Sequence, residues 1–368
     1  MSERLGINYA LETEVLTPLH VGSGRKLIEG FDFAVNSGTT YRLNEEAILA
    51  DRWPDDPALQ KKFAGQPLKD LIEPADYKAH PEYFIYSLRG EPAMREIVEC
   101  IRNVNGRPYL PGSSLKGALR TALFRAASDS AKVVFKRADF GPAGGPREAK
   151  QAAHELEQEA FGQDPNHDIL RALIVGDSQP APTTALALQR IQMVPQLQID
   201  AEVIVRGTRL IAPLRVDTWL LKRREQGLDW SDRMRDIVNH VAQSAQYVAR
   251  NRIAHEYEYH DKRGERQAAS FYARLAEQVS GQWPRNKFLI QVGFATGWRA
   301  KTVLGGLQDT DPLLEEIVHD FDLDRGGGRS SRGYTRGQPF PKARHLAWVG
   351  GNPALPMGWV LVEMREGS

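Results

Sequence analysis

The sequence has few of the features that mark secreted or membrane proteins. Among its 368 residues Cys100 is the only cysteine, which excludes an intrachain disulfide and agrees with a reducing cytoplasm. No apolar run approaches the roughly 18 residues that a membrane helix needs, and the first residues, MSERLGINYA, carry no export signal. We therefore expect a cytoplasmic protein that binds no membrane, with Cys100 as a small buried side chain.

Motifs typical of several enzyme classes are also missing. GSSLKG (112–117) lacks the adjacent Gly-Lys-Ser/Thr of a Walker A loop, which argues against nucleotide hydrolysis. His255 and His260 are five residues apart and do not form the HExxH zinc motif. No Gly-x-Ser-x-Gly elbow supports a serine hydrolase. We expect no cofactor and no metal.

Net charge is nearly absent as well. The total is +1, from 48 Lys and Arg against 47 Asp and Glu, so the chain is not a globally basic nucleic-acid binder. From Arg325 to Arg344, however, a Gly-rich segment holds six Lys or Arg and no acid. Such a segment can bind a polyanion locally. We predict an RNA-contacting loop here, with these contact residues: Arg329, Arg332, Tyr334, Arg336 and Lys342.

The pattern of strands and helices predicts an α+β protein in two halves. Each half has strands flanking one or two helices, with Gly-rich loops at the strand ends, which is typical of α+β sandwiches. QPAPTT (179–184) divides the chain into domains 1–180 and 181–368, and residues of about 53–108 are interpreted as an insertion. Strands are predicted at 11–19, 31–35, 171–179, 287–298 and 359–364, with alternating faces over 197–217, and helices at about 114–128, 148–161, 231–252 and 266–279. FDFAV (31–35), the turn NSG and TYRL predict a hairpin. Asn44 is predicted to cap a short helix over 45–51, and Ser231 to cap the helix at 231–252.

The turn and helix LPGSSLKGALRTALF (110–124) is the first candidate site. Ser113 or Ser114 is well suited to cap the helix, whose exposed amides and dipole favour an anion. Lys116 and Arg120 follow one turn apart on one face, where like charges repel unless an anion or a carboxylate answers them. Alone, the motif fits equally well a capped helix with solvated cations and an anion site.

Two glycine-rich loops supply the other candidates. In LTPLHVGSGRK (16–26) the glycines let backbone amides approach a phosphate or ribose. GFATGWRAKT (293–302) has an aromatic ring beside cations, which suits stacking on an unpaired base, although a tight turn with Trp298 in the core fits nearly as well. The predicted RNA-binding residues of these loops are His20, Gly22, Ser23, Gly24, Arg25, Lys26, Gly297 and Trp298.

Two catalytic alternatives stay open at this point. His20 is a candidate general base for cleavage of RNA through its 2′-OH without a metal. Asp32 follows the first loop and is a candidate metal ligand. No second acid is spaced to share the ion, so a structural role is favoured for Asp32.

These segments together resemble the RAMP superfamily, the RNA-binding backbone subunits of type III CRISPR effector complexes. The resemblance rests on 16–24, 110–120, 293–298 and 336–344, and the last block with PMGWV (356–360) looks most like the fifth Csm-type subunit of type III-A complexes. It implies tandem ferredoxin-like, RRM-related folds with insertions. It also implies a non-catalytic subunit that caps the backbone filament at the 3′ end of the CRISPR RNA and supports guide maturation and antiviral defence.

The same resemblance implies the partners. They are CRISPR RNA, target RNA nearby, and other Csm-type backbone and small subunits, in a multisubunit ribonucleoprotein rather than a homo-oligomer. Backbone subunits of such complexes cut target RNA with an aspartate near the start of the chain, and Asp32 lies in the corresponding region. The alternative function is a metal-independent endoribonuclease that processes CRISPR RNA through His20.

Overall fold

The fold is an α+β arrangement of three sheets with helices. It is known from a computed structural model that describes residues 5–57, 60–61, 65–144, 146–194, 197–224, 228, 230–324 and 334–367. The strands are β1 Ile7–Val15, β2 Gly22–Ile28, β3 Phe33–Asn36, β4 Thr39–Leu43, β5 Phe84–Arg89, β6 Glu96–Cys100, β7 Leu173–Val175, β8 Leu186–Val194, β9 Leu197–Ile204, β10 Arg209–Val216, β11 Lys287–Gln291, β12 Leu346–Val349, β13 Asn352–Pro356 and β14 Trp359–Glu366.

Helices follow the strands in both halves of the chain. None of those in the described ranges is long and apolar enough to cross a membrane. They are α1 Glu45–Arg52, α2 Asp76–Ala79, α3 Gly112–Ala131, α4 Pro146–Gln151, α5 His154–Phe161, α6 Thr218–Lys222, α7 Asp232–Asn239, α8 Val241–Lys262, α9 Arg266–Ser280, α10 Trp298–Lys301 and α11 Pro312–Asp320.

The main core lies between a five-stranded antiparallel sheet and helices α3, α7 and α8. The strand order is β11-β14-β1-β10-β7. Alternate residues of β10 from Leu210 to Val216 are buried, as expected for a strand with one face on a core. They share one hydrophobic cluster with Leu11 of β1 and Leu119 of α3. Without its edge strand β11, the order β14-β1-β10-β7 is that of a ferredoxin-like βαββαβ unit whose first helix is α3.

A six-stranded sheet forms the second layer, in the order β13-β12-β8-β9-β6-β2. Its neighbouring strands are antiparallel except β6 and β9, which run parallel. Both large sheets take strands from either side of residue 180. The predicted boundary between 1–180 and 181–368 therefore does not separate two sheets.

A smaller sheet, β3-β4-β5, stands apart with its own core of Leu43, Ile48 and Tyr83. Its β3–β4 hairpin and the cap of α1 by Asn44, whose Oδ1 accepts a hydrogen bond from the Ala47 amide, confirm two sequence predictions. The segment interpreted as an insertion is more closely integrated than expected. Its strand β5 belongs to this small sheet, and β6 pairs with β2 and β9 in the six-stranded one.

Two predicted helices are interrupted. The segment 148–161 forms α4 and α5, and the segment 231–252 forms α7 and α8, separated at His240. Ser231 caps α7 as predicted, since its Oγ accepts from the Met234 amide at 3.1 Å. Cys100 is buried with a free thiol, as expected, and burial raises the pKa of that thiol to about 12.

Candidate nucleic-acid interface

Backbone hydrogen bonds bring three of the sequence motifs together. The Phe294 amide donates to the carbonyl of His20 at 2.7 Å, which joins the segment 293–298 to the segment 16–24. The Gly358 amide donates to Pro18, and its own carbonyl accepts from Val292, both at 2.9 Å. The two glycine-rich segments and the C-terminal PMGWV block therefore form one structural unit.

Gly293 is required by this close approach. Its φ is +89°, and a Cβ on it would lie 2.2 Å from the carbonyl oxygen of His20. Any other residue would have to adopt left-handed backbone geometry, and its Cβ would displace the backbone at His20. The glycine thus fixes the distance between the two motif segments.

Helix α3 begins earlier than predicted and is capped from elsewhere in the chain. The helix starts at Gly112 after Pro111, and neither Ser113 nor Ser114 caps it. Instead, Asp177 accepts a hydrogen bond from the Gly112 amide at 2.8 Å. The cap prediction was therefore wrong because a carboxylate that is distant in sequence already occupies the helix start.

A groove of about 380 Å³ runs between α3 and the joined motif segments. On the helix side its lining is made of small residues, so a ligand backbone can approach the helix closely. Lys301 of α10 is exposed and supplies a positive charge at the groove. The lining of the groove includes Gly22, Ser114, Gly117, Thr121, Phe294 and Lys301.

Lys116 and Arg120 lie on the neighbouring face of α3, in a separate cleft. Arg120 forms ion pairs with Glu157 at 3.1 Å and Asp168 at 2.5 Å, and its guanidinium lies 4.1 Å from the Phe161 ring centroid. Burial lowers the pKa of Lys116, and the carboxylate of Asp168 opposes that effect. Carboxylates of the chain therefore balance the charge of these two cations. Neither Lys116 nor Arg120 lines the groove.

Residues 22–26 form part of strand β2 rather than a loop. All five are exposed on the outermost strand of the six-stranded sheet, and the pairing of β2 with β6 is irregular between Gly22 and Lys26. Ser23 donates to Glu99, Arg25 pairs with Asp32 and Lys26 pairs with Glu96. Exposed pairs of this kind contribute little to stability, so Arg25 and Lys26 can exchange a carboxylate for a phosphate. Gly24, whose φ is +90°, lies between Gly22 and these two cations in the strand.

His20 lies beneath this surface and not on it. Its side chain is fully buried, with Nδ1 at 2.6 Å from the carbonyl oxygen of Glu202, so Nδ1 carries the ring proton and donates it. The ring meets Phe294 edge-on at a centroid distance of 5.6 Å. Burial lowers the pKa of His20. In this fold the histidine is therefore a packing residue, which does not agree with direct RNA contact or with a role as general base.

Other predicted contact residues also belong to the core. Trp298, at the first position of α10 after Gly297, packs edge-on against Phe340 at 5.0 Å. Tyr334 is buried and donates its hydroxyl proton to the carbonyl of Asp309. Base stacking by Trp298 and RNA contact by Tyr334 do not agree with these positions, because Trp298 is partly buried and Tyr334 is buried against hydrophobic neighbours.

The basic C-terminal segment is only partly described. Arg336 and Lys342 are exposed, and Arg336 donates to the carbonyl of Thr310 at 2.6 Å. Arg344, counted in the same basic run, instead forms a largely buried ion pair with Glu256 at 2.7 Å. The predicted contacts Arg329 and Arg332 lie outside the described residues.

The Asp32 carboxylate is held by contacts within the described fold. Its carboxylate accepts from the Ile28 amide at 2.9 Å and pairs with Arg25 and Arg42 at 3.3 and 3.4 Å. Within the described ranges, no group of three or more His, Cys, Asp or Glu is placed to hold a metal ion.

Several groove residues are not among the predicted contacts. Gly117, Thr121 and Lys301 belong to the predicted motif segments but not to the contact residues predicted within them. Ser114, Gly117 and Thr121 recur at intervals of three and four, which on a helix places small side chains along one face. That periodicity was the available signal. The facing side of the groove, at Phe294, depends on tertiary contacts that the local sequence does not encode.

The chain is similar to known CRISPR proteins over most of its length. A family model described as the RAMP superfamily matches residues 12–335. A Mycobacterium tuberculosis protein named "CRISPR system Cms protein Csm5" is 26% identical over 260 residues, which cover 57% of this chain and 66% of that protein. A Methanocaldococcus jannaschii protein of the same name is 25% identical over 190 residues, or 47% of this chain and 43% of that protein. These matches span less than two thirds of either relative.

Solved structures resemble the whole chain. A chain of a Csm–crRNA–target RNA ternary complex of a type III-A CRISPR-Cas system has a TM-score of 0.69 at 25% identity, covering 96% of this chain and 100% of that one. The crystal structure of T. onnurineus Csm5 has a TM-score of 0.62 at 21% identity, covering 95% and 99%, and shows the fold alone. Because the family model covers most of the sequence, the chain belongs to the RAMP superfamily.

Proposed function

We propose that this chain is a non-catalytic RNA-binding subunit of a type III-A CRISPR effector complex, the counterpart of Csm5. It caps the backbone filament at the 3′ end of the CRISPR RNA and supports guide maturation and antiviral defence. Its partners are the CRISPR RNA, nearby target RNA and the other Csm-type subunits. The observation that carries the proposal is the groove beside α3, where the motif segments meet.

The groove suits the sugar-phosphate backbone of an RNA strand. Gly117 is exposed, and a Cβ on it would meet nothing within 4 Å, so the helix offers an open surface there. Lys301 and the exposed Arg25 and Lys26 of β2 provide cations for phosphates. Contacts of this type position a strand without reading its bases, as a subunit that serves many guides requires.

The positions of His20 and Asp32 favour a structural over a catalytic subunit. A general base must reach the proton that it removes, and His20 is buried with its Nδ1 proton donated to Glu202. The Asp32 carboxylate is held by Arg25, Arg42 and a backbone amide. Neither His20 nor Asp32 lines the groove.

Co-purification tests the capping role. The other subunits of the complex are expressed with and without this chain, and the bound RNA is sized at its 3′ end. We expect a uniform 3′ end when the chain is present and a missing or ragged end when it is absent. Identical RNA in the two preparations would contradict the proposal.

A cleavage assay separates the catalytic alternatives. The purified chain is incubated with CRISPR repeat RNA in EDTA and in Mg²⁺. We expect no cut in either condition. A cut in EDTA that His20→Ala abolishes would support the metal-independent endoribonuclease, and a Mg²⁺-dependent cut that Asp32→Ala abolishes would support a metal-dependent nuclease.

A further inference from the structure

A second pocket, of about 410 Å³, lies between α3, α8 and the start of the segment after α10. Three arginines and a histidine line it, together with a glycine at which the backbone comes close to one guanidinium. These residues are Arg125, Arg252, His255, Arg299 and Gly306. None of these five residues is among the predicted RNA contacts or the lining of the groove beside α3.

Arg125 is the unusual member of the cluster. Only 7% of its surface is exposed, and in the described part of the chain its guanidinium has charged neighbours but no hydrogen bond or ion pair. Burial lowers its pKa to about 10, helped by the charges of Arg252 and Arg299, while Asp129 partly offsets this without forming an ion pair. A buried cation without a partner is unfavourable, so this position favours an external anion.

Two more hydrogen-bond donors in the same pocket have no partner in the described chain. Arg252 is 8% exposed and uses Nε on Gln291 and Nη2 on the Thr296 carbonyl, while its Nη1 is buried without a partner in the described chain. The Nε2 of His255 is likewise buried and unpartnered in that part of the chain. Arg299 differs, because Asp309 and the carbonyls of Phe340 and Leu307 satisfy it.

Each acidic side chain around the pocket is either paired with another cation or exposed. Oε2 of Glu256 accepts from Arg344 at 2.7 Å, while its Oε1 lies 3.7 Å from Nη2 of Arg252 and has no hydrogen bond in the described part of the chain. Glu258 pairs with Lys262 at the surface. Asp129 is exposed one turn beyond Arg125. None of them neutralises Arg125, so the pocket keeps an excess of positive charge on its buried side.

We propose that this pocket binds a phosphate group through Arg125, Nη1 of Arg252 and Nε2 of His255. The planar fork of a guanidinium matches phosphate oxygens, and two guanidiniums with one ring N–H provide converging donors. Arg125 is one turn beyond Thr121 on α3, and Arg252 bonds to Gln291 and Thr296, which line the groove. The phosphate therefore comes either from an RNA strand that continues along α3, which rests on the proposed function, or from a free phosphate.

Thermal unfolding with inorganic phosphate tests the pocket directly. The full chain, Arg125→Gln and the matched surface control Arg250→Gln are heated in phosphate and in chloride of equal ionic strength. We expect phosphate to raise the Tm of the wild type and of the control by about 3 °C or more, and not that of Arg125→Gln. Equal shifts in all three proteins, or no shift in any, would overturn the free-phosphate source.

An RNA arm distinguishes the two sources. A labelled single-stranded RNA without terminal phosphates is titrated against the same proteins. If the pocket receives an RNA phosphodiester, Arg125→Gln weakens binding about tenfold while Arg250→Gln does not; if it receives only free phosphate, RNA affinity is equal in all three. The inference is overturned when neither phosphate stabilisation nor RNA affinity depends on Arg125. Failure of every protein to bind RNA would contradict the proposed function and leave the phosphate arm intact.

A spectroscopic measurement covers the case in which Arg125→Gln does not fold. The ring resonances of His255 are followed by NMR in the wild-type chain during a titration with inorganic phosphate. We expect saturable shifts at His255 and none at His240, which is exposed and lies outside the pocket. Absence of a shift at His255 would overturn the free-phosphate source.

Discussion

The α-carbon of Gly293 lies against the carbonyl of His20, so closely that a Cβ would come within 2.2 Å of the oxygen. The amide of the next residue, Phe294, donates to that same carbonyl. This contact joins the two glycine-rich segments and holds Phe294 opposite α3. The shape of the groove therefore depends on the absence of a side chain at position 293.

The variant Gly293→Ala should destabilise the fold strongly. Left-handed backbone geometry and the clash with His20 together predict a loss of roughly 2–5 kcal/mol in the free energy of unfolding. Urea denaturation measures it, with Gly117→Ala as the control because a Cβ there meets nothing. An unchanged midpoint for Gly293→Ala would show that the contact is not as close as described.

Asp177→Ala should weaken helix α3, although the residue is outside it. Its carboxylate accepts from the Gly112 amide at the helix start, and loss of a cap costs about 1 kcal/mol. Ser113→Ala should change the free energy of unfolding by less, because Ser113 makes no capping bond. If denaturation curves rank the two variants in the opposite order, the capping assignment is wrong.

Arg120→Ala should affect stability more than RNA binding. The residue loses ion pairs to Glu157 and Asp168 and its contact with Phe161, which are partly exposed and together contribute about 1 kcal/mol. Lys301→Ala should do the reverse and reduce the magnitude of the log-log salt slope of RNA binding by about 0.7. A slope change with Arg120→Ala and none with Lys301→Ala would reverse this assignment.

The stability of the chain should fall between about pH 6.5 and pH 4 because of His255. Burial, and then the charge of Arg299, lower the pKa of this ring to about 4. The unfolded chain therefore takes up the proton at a higher pH than the folded chain. The contribution of His255 to the free energy of unfolding is complete above its pKa in the unfolded chain. It is lost as the pH falls to its pKa in the folded chain.

Denaturation of His255→Gln at several pH values measures this effect. Between about pH 6.5 and pH 4, the free energy of unfolding of the variant should fall less than that of the wild type, by as much as about 3 kcal/mol. His240→Gln is the control, since His240 is exposed. Identical pH profiles for the wild type and His255→Gln would contradict the prediction.

Local sequence patterns predicted much of the fold. The β3–β4 hairpin, the caps at Asn44 and Ser231 and the alternation in β10 each follow from neighbouring residues, and the structure has all of them. Their physics is local, because turn geometry, capping and strand periodicity act within a few residues. The exchange of strands between the two halves is not local, and for that reason the division at 180 did not anticipate the sheets.

The site was predicted less well than the fold, for a related reason. The motif segments do meet, but the role of each side chain depends on partners far away in sequence. Asp168 and Glu157 neutralise Arg120, Glu202 holds His20, and Asp177 displaces the predicted serine cap. A list of cations and rings in the sequence cannot distinguish a buried, paired side chain from an exposed one.

The central claim is that RNA lies in the groove beside α3, and a charge placed at Gly117 tests it most directly. A Cβ at this position meets open space, so Gly117→Glu should fold while placing a carboxylate in the path of the RNA backbone. Gly117→Gln has the same shape without the charge and controls for bulk. We predict that single-stranded RNA binds Gly117→Glu at least about tenfold more weakly than Gly117→Gln, measured by anisotropy at low salt. Equal affinities in the two folded variants would contradict the account.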